Sequence, residues 1–130
     1  MRTRWALSVL LLLLTAGAGS SEDLLRVLQV VPERPTLHVL GVQVLIEGDA
    51  DRDAAIAVNY REQGAGPWRA GMPLLRVWPE AVAIDIPKQF AGSVFDLKPA
   101  TAYEIALEAV DPDGYTWQDT LLVSTRQIGR

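Results

Sequence analysis

The fold class the sequence predicts is an all-β sandwich of about seven short strands, and three observations predict it. Apolar residues recur with a period of two through most of the chain beyond Pro35. Clusters rich in Gly, Pro and Asp interrupt these runs every ~8–12 residues. No stretch beyond the first 20 residues carries the spacing of an amphipathic helix.

A chain of 130 residues has room for one domain, and its opening segment stands outside it. Arg2 and Arg4 precede an apolar run from Trp5 to Leu14, and Thr15-Ala16-Gly17-Ala18-Gly19-Ser20 follows with small residues. This predicts a signal peptide over 1–18, cleaved after Ala18, with Ser20 as the alternative. The apolar run falls short of the ~20 residues a membrane span needs. A lipid-anchored form would need a cysteine, and the sequence has none. The expected location is extracytoplasmic, either periplasmic or extracellular, with no membrane insertion after cleavage.

Residues 19–33 form a lead-in that reads equally as a short first strand or one amphipathic turn, ended by Pro32 and Pro35. Residues 34–127 carry the domain, and 128–130 are a tail. Thr36 to Leu40 makes one short run; Val42, Val44 and Ile46 make a strand that stops at Gly48-Asp49. Ile56, Val58 and Tyr60 make the next, closed by Gly64-Ala65-Gly66-Pro67. Trp68 to Trp78, interrupted by Gly71 and Pro73, reads as an irregular or edge strand. Val82, Ile84 and Ile86 alternate up to Pro87, and Phe90 to Leu97 runs up to Pro99. Tyr103, Ile105, Leu107 and Ala109 form the clearest strand. Asp111-Pro112-Asp113-Gly114 is a turn, and Leu121, Val123 and Thr125 give the last strand.

Composition excludes several functions. Without the signal peptide the chain keeps ten basic residues against 16 acidic, a net of −6, which disfavours nucleic acid and anionic membranes. Zero cysteines exclude thiol catalysis and a cysteine-ligated zinc ribbon, and leave the core to stand without disulfides. About 110 residues suffice for that.

The stretch Leu97-Lys98-Pro99-Ala100-Thr101-Ala102-Tyr103 resembles the L-x-P-x-T-x-Y segment of fibronectin type III domains. Its physical content is a tyrosine corner, in which the Tyr103 hydroxyl bonds back to the loop backbone. Val58-Asn59-Tyr60-Arg61 with Trp68, and the Asp111–Gly114 turn, are similar to that family's third strand and last hairpin. Where the family usually carries a tryptophan in its second strand, this chain has Ile46, so the resemblance is to a divergent member. The N-terminal domain of purple acid phosphatases is one such relative. Phe90 to Leu97 also resembles the module that precedes right-handed β-helix domains in secreted bacterial proteins. The resemblance implies an immunoglobulin-like sandwich and a non-catalytic role.

Candidate chemistry is sparse. His38 is the sole histidine, and no serine lies in a G-x-S-x-G context, so no catalytic relay is expected. Asp49, Asp51 and Asp53 alternate in one loop, and Asp111 and Asp113 flank another; in the fibronectin-like topology the two loops share one end. Five carboxylates there suit calcium, although Ala54 and Tyr60 stand where an EF-hand needs Gly and Glu. Aspartates are equally ordinary turn formers. Trp68, Trp78, Tyr115 and Trp117 offer stacking faces for sugar rings or cover for the core, with Trp117 and Tyr115 the ligand-binding candidates and Trp117 expected to be the most exposed. The expected function is a secreted, non-catalytic spacer or interaction module that binds a protein or polysaccharide through loops or an edge strand. The alternatives are an accessory N-terminal domain of a secreted polysaccharide- or phosphoester-processing enzyme, and a carbohydrate-binding module.

Overall fold

The computed structural model of the protein describes residues 22–78, 80 and 85–128; the signal segment 1–18, and Val82 and Ile84, lie outside them. Eight strands are present among the described residues: β1 (Arg26–Pro32), β2 (Leu40–Glu47), β3 (Ala55–Glu62), β4 (Arg69–Ala70), β5 (Leu75–Val77), β6 (Gln89–Val94), β7 (Ala102–Asp111) and β8 (Tyr115–Ser124). They form two antiparallel four-stranded sheets, in the orders β1-β2-β6-β5 and β4-β3-β7-β8. The chain is therefore an all-β sandwich, as expected, with eight strands among the described residues where about seven were expected.

Period-two patterning builds the core directly. Val42, Val44 and Ile46 of β2 are buried against Ile56 and Val58 of β3 and against Ile105, Leu107 and Ala109 of β7, while the residues between them turn outward. Ile46 is buried in this set. Tyr103 is buried at the start of β7, and its hydroxyl accepts the Lys98 N–H at 2.8 Å. Pro99 has no N–H to continue a ladder, so the tyrosine anchors the chain at the point where it must leave the sheet.

Three elements differ from expectation, and one ambiguity is resolved. The lead-in, read as a short strand or one amphipathic turn, is the strand β1, paired with β2 along its length, with Leu28 as an extra residue at a bulge between Val27 and Gln29. Thr36–Val39 is loop, and only Leu40 of that run joins a strand. Ile86 lies in no strand. The Trp68–Trp78 segment is two edge strands in opposite sheets, β4 on β3 and β5 on β6. Gly71 and Pro73 mark the crossing. There the Gly71 N–H donates to the Val58 carbonyl at 2.9 Å and the Leu74 N–H to the Ile56 carbonyl at 3.0 Å. Buried Leu74 thus ties the end of one sheet to the start of the other.

Candidate functional site

The β2–β3 loop, the β7–β8 turn and the segment before β1 meet at one pole of the sandwich and bring all five expected aspartates together. Carboxylate oxygens of Asp49, Asp51 and Asp53 lie within 4.8 Å of one another, and so do those of Asp53, Asp111 and Asp113. The tight path depends on Gly48, whose φ is +77°; a Cβ there would stand 1.9 Å from the Leu24 carbonyl oxygen.

The five do different work. Asp49 is 1% exposed and ion-paired with Arg76 of β5, and it also accepts the Ala54 N–H at 3.3 Å. Arg76 lies over the Phe90 ring, its guanidinium carbon 4.6 Å from the centroid. Asp111, equally buried, accepts the Leu25 N–H at 2.7 Å and the Asp113 N–H at 2.9 Å, so it fastens β1 and shapes the turn. Burial works against its charge, but the N–H donors of Asp113 and Leu25 and a hydrogen bond from Asp53 outweigh that and hold its carboxyl below the usual range. Asp51, Asp53 and Asp113 face solvent. Loss of water, a hydrogen bond shared with Asp111 and the charge of Asp51 push Asp53 up to about 6. A hydrogen bond shared with Asp51, then desolvation and the neighbouring charges, push Asp113 up to about 7.

These outward carboxylates are hard oxygen donors of the kind calcium takes. Their crowding is nevertheless met in part from within the chain: one guanidinium neutralises Asp49, backbone N–H groups satisfy Asp111, and Asp53 and Asp113, pushed up to about 6 and about 7, take up protons as the pH falls below those values. Among the described residues no buried side-chain polar atom lacks a partner. Arg76 was not legible as part of this site, because a lone arginine in a broken edge segment carries no signal of its partner.

The aromatic candidates are arranged differently from expectation. Trp117 is half-buried against the core, not the most exposed of the set, because β8 alternates Tyr115, Trp117, Leu121 and Val123 toward the opposite sheet. The Tyr115 hydroxyl accepts the Val27 N–H at 3.2 Å, so it too serves the fold. Trp68 and Trp78 are the exposed ones, at 40% and 44%, and each has a guanidinium on its face: Arg61 at 4.4 Å and Arg52 at 4.3 Å. His38 is held by its Nδ1–H donating to the Leu97 carbonyl at 2.9 Å.

The sandwich also has four sheet edges, and they are not alike. β4 and β5 are two and three residues long. β1 is bulged, ends at Pro32, and has the N–H groups of Leu25 and Val27 at its start taken by Asp111 and Tyr115. Short length, bulges and proline are devices that blunt an edge. β8 has none of them: it runs ten residues in unbroken register with β7. The Thr125 N–H donates to the Thr101 carbonyl at 3.0 Å. Stepping back by two, the odd-numbered residues of β8 bond to β7, and the backbone groups of Thr116, Gln118, Thr120, Leu122 and Ser124 point outward from the sheet edge.

Asp119 interrupts this strand in one respect only. Its register partner Leu107 is buried, so Asp119 stands on the core-facing side of β8, yet it is exposed. Its Oδ1 accepts the outward N–H of Thr120 at 2.9 Å. The sequence held a signal for it, a single acid within the alternating apolar series Tyr115, Trp117, Leu121, Val123. No protein-family model matches the chain, and no curated protein matches it.

Proposed function

We propose that the chain is a secreted, non-catalytic interaction module, fibronectin type III-like and divergent, which binds an extended partner segment along the outer edge of β8. The observation that carries this reading is the contrast between three blunted edges and one long edge with regular, outward-facing backbone groups. Such an edge is a template for strand addition, in which main-chain hydrogen bonds give affinity and alternate side chains give specificity. The corner at Tyr103 and the hairpin turn at Asp111–Gly114 support the family resemblance.

The test is amide exchange by NMR, with and without a peptide as long as β8 that alternates threonine and valine. N-methyl groups on the peptide's far edge keep it from stacking on itself. In the free protein the amides of Gln118, Leu122 and Ser124 exchange much faster than those of Trp117, Leu121 and Val123. Added peptide slows the first set and leaves the second unchanged. Protection of neither set, or slow exchange of the outward amides before any peptide is added, removes the proposal.

A further inference from the structure

Resting on that reading of β8, we infer that Asp119 selects the occupant of the edge: an extended segment with lysine or arginine facing Asp119, in preference to a second copy of this chain. Position decides this. Asp119 bonds inward to β7, so in any new antiparallel pair it occupies a non-hydrogen-bonded site. At such sites facing Cα atoms approach to about 4.5 Å and side chains are closest. Opposite charges directly across a pair stabilise it, and like charges destabilise it.

The surroundings amplify the preference. β7 and β8 together contain Glu104, Glu108, Asp111 and Asp119 and no basic residue. Arg61 pairs with Glu104 at 2.8 Å, and Asp111 is buried, which leaves Glu108 and Asp119 without an ion-pair partner among the described residues. On the outer face Glu108 lies beside β8, register-paired with Gln118. A cationic strand therefore gains at the position facing Asp119, with Glu108 adding a weaker field from one strand further in. A second copy meets the reverse. A two-fold pairing with the greatest overlap centres on Asp119 or Thr120. The first register sets Asp119 directly against its own copy; the second leaves the two carboxylates on the diagonal, about 7–8 Å apart at Cα. An inward-pointing charge in mid-strand is a known guard against such edge-to-edge pairing; the Thr120 N–H that Asp119 holds must be released to any incoming strand alike, so charge alone makes the selection.

The experiment compares twin peptides as long as β8, alternating threonine and valine, with lysine or glutamate at the position facing Asp119. Each is titrated against the wild-type protein and against Asp119→Lys, an exposed substitution that leaves the β7 ladder intact. Wild type binds the lysine peptide about five-fold more tightly than the glutamate peptide, and Asp119→Lys reverses the order. Equal affinities with protected Gln118 and Leu122 amides overturn the charge selection and leave the edge as a binding surface. No protection by either peptide, on either protein, overturns the edge reading and the selection together.

Discussion

Both poles of the sandwich carry exposed ion pairs, but only one of them also buries carboxylates. At the pole where β3 ends and β7 begins, acids and bases are matched across short distances: Arg61 with Glu104 at 2.8 Å, Lys98 with Glu62 at 3.0 Å. The Gly64 N–H and then Arg61 hold the Glu104 carboxyl below its usual range. At the other pole two exposed pairs, Arg26–Glu47 at 2.7 Å and Arg52–Glu80 at 2.6 Å, flank five crowded aspartates, two of which are buried and held by Arg76 and the backbone of Leu25 and Asp113. Exposed pairs contribute little because water already solvates each partner. Buried carboxylates have no such alternative, so Asp49 and Asp111 depend on single groups, as no carboxylate of the mixed pole does.

Breaking that dependence gives the largest expected effect. Arg76→Met removes the cation beside Asp49, whose side chain is fully buried, and leaves its charge with no water and only the Ala54 N–H. Urea unfolding should show a loss of about 3–5 kcal/mol. Adding Asp49→Asn to that variant removes the stranded charge, so the double variant should be more stable than Arg76→Met alone. Equal stability of the two would mean that stacking on Phe90, not the ion pair, is what Arg76 supplies.

Tyr103→Phe probes the mixed pole and should cost less. The ring stays buried and fills the same space, while the Lys98 N–H loses its acceptor at a partly buried position. A loss of about 1–2 kcal/mol is expected from unfolding curves. A larger loss than that of Arg76→Met would invert the comparison and make the corner the stronger fastening.

The difference between the poles also governs what could be read from the sequence. The corner was legible because Leu97, Pro99 and Tyr103 act on one another within seven residues, and local chemistry leaves a local pattern. The convergence of Asp49–Asp53 with Asp111 and Asp113 was legible only through the topology expected of the resembling family. Arg76 was not, since it reaches Asp49 across 27 residues from a strand whose own existence depends on the crossing at Gly71. Trp117 misled for a related reason. Position just after a turn suggests exposure, but the alternation of β8 fixes which face it takes, and that face is covered by the β1 sheet. β1 itself was ambiguous in sequence because its bulge at Leu28 breaks the period of two.

The smallest expected effect separates the outward aspartates from the buried ones, and its sign follows from linkage. Asp53 and Asp113 ionise at about 6 and about 7 in the folded chain, against a reference of 3.8. Between pH ~4 and ~7 the folded state therefore binds more protons than the unfolded state, and stability falls as pH rises through that window. The contribution is complete below the reference value and gone above about pH 7. Asp111 runs the other way: its lowered value stabilises the fold above the reference and is lost as pH falls through the folded value. Solvent screens the two exposed groups, so the slope should be shallow. Asp113→Asn should flatten it, matching wild type near pH 4 and melting higher than wild type at pH 8. Parallel melting curves for the two proteins across that range would mean that water alone relieves the crowding at Asp113, and that the acidic pole is held only by its two buried members.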